Sequence, residues 1–270
     1  MIKQKGQLYW DDETVTLSDD VFSLMLSDKT ESKYKKAFDF FSSLRECINL
    51  DIISDFKWLK TQYTVPYFVD FCFMYKTTLY GVIFAGMKDD GMLEKTPLIE
   101  EEIKMCKKYD IVPVILPFDK MGEVIVTGRS LFSLLDAEKY YAEGIIEDVD
   151  ITKASEEYKE CSKWELLHSS VSALVENLKK DGINEILYQS YPGVFPQICY
   201  IDKDKAFNWI AQDIVKERDE RPKRNDILLS AMLKKGGKGH YALAEISNPY
   251  APNVFPRGQK FDIRCEITDL

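Results

Sequence analysis

No stretch of this chain approaches the run of about 18 apolar residues that a membrane-spanning helix needs, so none is expected. The opening residues "MIKQKGQLYWDDETVTL" likewise hold no apolar stretch suited to a secretory signal. Histidine is scarce, with two in 270 residues, and the six cysteines (Cys47, Cys72, Cys106, Cys161, Cys199, Cys265) are never closer than 25 positions. Without paired C-x-x-C spacing or enough histidine, no zinc-ligand set can be assembled, and reduced thiols in a cytoplasmic protein are expected. Positive charge is also in short supply. Lys plus Arg number 36 against 45 Asp plus Glu, giving a net charge of −9 and a pI near 5.0. That balance opposes the field of a polyphosphate backbone, counts against nucleic-acid binding, and suits a basic protein partner.

Core-forming residues, by contrast, are plentiful: 45% of the chain is hydrophobic and 13% aromatic. The length allows two domains of about 130 residues. Residues 7–17 read as a strand or short hairpin, with a short helix after Ser18 or Asp19. Between Ser32 and Leu50, Ala37, Phe41, Leu44 and Ile48 recur at helical spacing and line one face. Strands follow at "DFKWLKTQY" and in two pieces across Pro66 to Met87, joined near "YKTT". "PLIEEEIKMCKKYD" opens with Pro97, carries acids first and lysines last, and so complements a helix dipole. "IVPVILPF" is a buried strand. A small hairpin at "DKMGEVIVTG", a helix at "SLFSLLDAEKYYAEG" and an acidic connector complete the first half.

The same order then returns. A helix is expected from about Lys163 to Lys180, strands at "NEILYQSY", "PQICYID" and "AFNWIAQDIV", a helix at "RNDILLSAMLKKGG", and a strand at "GHYALAEIS". A proline-rich loop and one or two strands close the chain. Shifting the sequence by 130 positions lays Ser32-Lys33 on Ser162-Lys163 and Pro66 on Pro196 without a gap, and 8 of the 35 aligned residues are identical. The expected fold is α+β, with two similar halves, each a mixed central sheet flanked by helices in α-β-β-β-α-β order. The expected boundaries are 1–31 for an N-terminal strand and short helix, 32–150 for the first half and 151–270 for the second.

This element order resembles the core of the restriction-endonuclease-like, or PD-(D/E)xK, superfamily over about 32–118 and 162–248. The resemblance implies a carboxylate after the proline of the second strand and an acid-x-Lys triplet in the third, together holding Mg²⁺ and positioning water. Here the first half offers Asp70, four residues past its proline, and Lys88 after Gly86. The second offers Gln197 after its proline, with Asp213 and Lys216 at the wrong spacing. Neither half keeps the triad, so no metal or other cofactor is expected.

Other motifs have structural readings. "KKGGKGH" (Lys234–His240) follows a helix rather than preceding one, which makes it a helix end and not a phosphate cradle. His168 is expected to be a partly buried structural histidine. The tail places Tyr250, Phe255, Arg257 and Lys260 in a loop of the kind that contacts partners or covers a sheet edge. The sequence therefore favours a non-catalytic protein acting through protein contact, on a basic partner such as a toxin. A diverged metal-dependent nuclease, using Asp70, Lys88, Asp213 and Lys216, is the alternative.

Overall fold

The computed structural model describes residues 7–10, 13–16, 36, 39–40, 43, 56–60, 69, 71–125, 134–188, 190, 196–217, 219 and 221–270. Two compact units emerge, residues 1–7 with 16–157 and residues 8–15 with 158–270. A two-stranded sheet of β1 (Gln7–Trp10) and β2 (Glu13–Thr16) matches the expected hairpin. Of the helix expected from Ser32 to Leu50, Lys36, Asp39, Phe40 and Ser43 are helical; its apolar positions Ala37, Phe41, Leu44 and Ile48 lie outside the described residues.

The first unit contains β3 (Phe56–Lys60), β4 (Phe71–Tyr75), β5 (Thr78–Gly86), helix α1 (Pro97–Lys108), β6 (Ile111–Phe118), β7 (Leu135–Asp136) and α2 (Ala137–Glu143). The second contains α3 (Lys163–Lys180), β8 (Ile186–Tyr188), β9 (Ile198–Ile201), β10 (Phe207–Lys216), α4 (Asp226–Leu233), β11 (Lys238–Ser247) and β12 (Asp262–Asp269). The sheets run β3-β4-β5-β6-β7 and β8-β9-β10-β11-β12. In each, the first three strands are antiparallel neighbours, the fourth is parallel to the third, and the fifth is antiparallel again. The parallel step needs a crossover, which α1 and α4 supply. The protein is thus α+β, with two mixed five-stranded sheets of one topology.

Local chemistry explains the elements. Thr96 Oγ1 accepts from the Ile99 N–H at 3.3 Å and Pro97 opens α1, while Lys107 and Lys108 sit in its last turn. Ser162 and Glu165 close a capping box at the start of α3. The helix expected over 130–144 is met in part. Residues 130–133 lie outside the described residues, Leu135–Asp136 form a strand, and α2 covers Ala137–Glu143. Asp136 Oδ1 accepts from the Lys139 N–H at 2.9 Å and so starts α2 there, and Gly144 stops it at φ 73°.

Strand parity fixes which face each helix covers. Tyr80, Val82 and Phe84 share a cluster with Phe71, Phe73, Val114 and Leu116 on one face. On the other face Gly81 lies against Cys106 of α1. In the second unit Ile198, Ile210 and Ala242 pack under Val171, Leu174, Val175 and Leu178 of α3. Trp209 and Ala211 pack against Leu229 of α4 on the opposite face. A shift of 130 therefore maps β3 onto β8 and β5 onto β10 with faces preserved.

The strand between them does not follow that shift. Phe73 pairs with Tyr80, whereas Ile198 pairs with Ile210, so β4 maps onto β9 with a shift of 125. The β4–β5 turn is only Lys76-Thr77, while Asp202–Ala206 join β9 to β10. Pro196 stands two residues before Ile198, but Pro66 stands seven before Phe73, so the ladder does not make the two prolines equivalent. The duplication rests on topology, and the gapless proline match is corrected.

Candidate functional site

The family resemblance directs attention to β9 and β10. Gln197, directly after Pro196, reaches β10 with its side chain, and Gln197 Oε1 accepts the backbone N–H of Gln212 at 2.8 Å. This contact places Gln197 beside the backbone of Gln212, at the head of Gln212-Asp213-Ile214. Where the resemblance looks for acids and a lysine, this stretch offers Gln197, Gln212 and Ile214. Both glutamines are buried, at 8% and 3% exposure. A carboxamide brings a neutral oxygen where a hard divalent ion wants anionic ones.

Gln212 sits between two apolar clusters, one around Ile198, Ile210 and Val171, the other around Leu166, Ile214 and Phe255. Neither its side-chain oxygen nor its nitrogen has a hydrogen-bond partner among the described residues. A buried amide left without any partner, water included, costs about 1–3 kcal/mol. In the first unit the corresponding residues are Val82 and Phe84, buried hydrocarbon at 0% and 3% exposure.

The acids and lysines singled out from sequence are taken unit by unit. Asp70 lies outside the described residues. Lys88 is exposed just beyond β5, its N–H donating to Met92 O at 2.8 Å. Asp213 belongs to the face of β10 that carries α4 and accepts from the Tyr241 hydroxyl at 3.0 Å. Burial, and then the Asp213 charge, push the Tyr241 phenol well above its ordinary value, with Arg224 and Arg221 acting against them. Lys216 belongs to the opposite face, its Nζ 5.3 Å from the centre of the Phe255 ring. Asp213 and Lys216 therefore do not meet.

A buried charge pair of the same unit is committed elsewhere. Glu165 of α3 holds Arg257 through Nε at 3.0 and 3.2 Å, with side chains 7% and 1% exposed, and Glu165 Oε2 also accepts from the Ser162 N–H. The tail is stitched to residues before α3: Arg257 N–H donates to Lys159 O and Cys161 N–H to Phe255 O. Phe255 is fully buried and meets Phe261 edge-on at 5.3 Å. Of the four tail residues, Phe255 and Arg257 are interior parts of the unit, while Tyr250, 87% exposed, and Lys260 face solvent.

His168 Nδ1 lies 2.6 Å from the buried Ser190 hydroxyl. At the far end of "KKGGKGH", His240 lies between Asp269 at 2.8 Å and Asn208 at 3.2 Å. Gly236 and Gly237, at φ 98° and 87°, end α4 as a helix stop should. Among the described residues no three His, Cys, Asp or Glu side chains gather at metal-binding range. Gln212 was not singled out from the sequence; its signal was a polar side chain on the face of "NWIAQDIV" otherwise set by Ile210 and Ile214. Compared with known proteins, the chain matches no family model and no curated sequence.

Proposed function

We propose that the chain works without catalysis, in the cytoplasm, by contact with a basic protein. The observation that supports this reading is that Gln197, Gln212 and Ile214 stand where the resemblance looks for two acids and a lysine. The net charge of −9 supports a cationic partner. Neutralisation of a basic nuclease toxin is one form of the reading. The described residues include no helix long and apolar enough to cross a membrane.

Immobilised protein, titrated with basic proteins recovered from its own host, tests the reading. A single saturable interaction that weakens as salt rises is expected. Absence of any saturable partner, or cleavage of nucleic acid that depends on Mg²⁺ or Mn²⁺, overturns it.

A further inference from the structure

The two five-stranded sheets end in the edge strands β3, β7, β8 and β12. An open edge is a template for another chain, and proteins blunt it with short strands, bulges, proline or lysine. Three of these edges are blunted. β3 carries a register shift between Trp58 and Lys60, β7 is only Leu135–Asp136, and β8 is only Ile186–Tyr188. β12 differs. Asp262–Asp269 pairs with Ser247 back to His240 without a shift, and it contains no Pro or Lys.

Hydrogen-bond parity fixes which backbone groups of β12 face outward. Leu270 N–H donates to Gly239 O at 3.0 Å, one step beyond the Asp269–His240 pair. Alternate residues Asp262, Arg264, Glu266 and Thr268 therefore direct their backbone groups to β11. Ile246, opposite Ile263, agrees: its carbonyl accepts from the Glu217 N–H just beyond β10, on the far side of β11. The N–H and C=O of Ile263, Cys265 and Ile267 thus point away from the sheet, and no strand among the described residues pairs with them. Ile267 is 46% exposed, and Ile263 and Cys265 share its face, half-buried. Arg264 and Glu266 are exposed on the other face. Glu266 meets Arg221 at 3.4 Å, whereas Arg264 makes no ion pair among the described residues.

This edge complements itself in one register. A two-fold axis at Arg264 opposes two arginines, and one at Glu266 opposes two glutamates, both unfavourable. Axes farther along the strand shorten the overlap. An axis at Cys265 opposes Arg264 to Glu266 twice and Ile263 to Ile267 twice, and brings together the outward backbone groups of residues 263, 265 and 267. We propose that β12 pairs antiparallel with β12 of a second copy about Cys265, joining the two second-unit sheets into one. The contact is isologous, and it does not depend on the non-catalytic reading above.

Sedimentation equilibrium of the full chain tests the proposal. A monomer–dimer equilibrium is expected, and a chain that stays monomeric up to about 0.1 mM overturns it. Ile267→Pro removes only an outward donor, which an edge strand tolerates. It should weaken association about tenfold or more, as should Arg264→Glu and Glu266→Arg singly. An equimolar mixture of the Arg264→Glu and Glu266→Arg chains should recover dimers, because glutamates of one chain then oppose arginines of the other. Unchanged melting shows that the variants fold; if Ile267→Pro lowers it, the charge variants and their mixture still decide. Dimers that persist equally in all variants lie on another surface and overturn the proposal. Failure of the mixture to recover dimers overturns the Cys265 register.

Discussion

Arg257 is the side chain whose loss should be felt most at the scale of single residues. Its guanidinium is 1% exposed and its charge is matched by Glu165. Arg257→Ala leaves that carboxylate buried and unmatched, and a loss of about 3–5 kcal/mol is expected from urea unfolding. An unchanged midpoint would mean that water, not Arg257, satisfies Glu165. Burial pushes the Cys106 thiol well above its ordinary value, so at neutral pH a thiol reagent should label it only when the protein unfolds. Asp202 offers a pH test. Its carboxylate is held below the usual range, first by the Asn208 amide and then by the Ala206 N–H. A lowered folded value means its contribution is complete above the unfolded carboxyl's pH of about 4 and fades as pH falls through the folded value. A carboxyl carbon titration by NMR should place its midpoint below that of free Asp; a midpoint at or above free Asp contradicts the turn geometry. Legibility at this scale was partial. Gln197 could be read as an amide in an acid's place, because a proline marks it. Gln212 could not, since the sequence does not say which of two adjacent residues, Gln212 or Asp213, shares the face of Ile210 and Ile214.

Elements were more readable, because their signals are local. Thr96-Pro97 and the Ser162/Glu165 box mark helix starts that the structure keeps. The "YKTT" turn falls where expected, with Lys76 at φ 54°. The 135–143 region misled because its apolar spacing suits a helix throughout, while the neighbouring strand β6 recruits Leu135–Asp136. The sliding of β9 relative to β4 was invisible for a related reason: turn length is not encoded by hydrophobic periodicity. Two glycines show how closely the crossover helices approach their sheets. A Cβ at Gly81 would lie 2.8 Å from Cys106 Sγ and 3.0 Å from Ile111, and one at Gly239 would enter the Trp209 ring. Gly81→Ala and Gly239→Ala should each cost about 1–3 kcal/mol by overpacking, read as a lower urea midpoint with an unchanged slope. A neutral effect would show that α1 stands farther from Gly81, or the Trp209 ring farther from Gly239, than described.

For the whole molecule, the two units share strand order, strand directions and the face taken by the crossover helix. The second buries the amides Gln197 and Gln212 beside β9 and β10, and the first has Val82 and Phe84 at the positions of its third strand that match Gln212 and Ile214. The proposed reading, contact with a partner protein, therefore turns on whether either unit holds a metal. The most direct measurement is a titration of the purified full chain with Mg²⁺ and Mn²⁺ in the presence of labelled DNA and RNA, following cleavage and melting temperature together. No cleavage and no metal-dependent rise in melting temperature are the predicted result. Turnover that requires the metal and disappears in Gln197→Ala or Gln212→Ala would contradict the account.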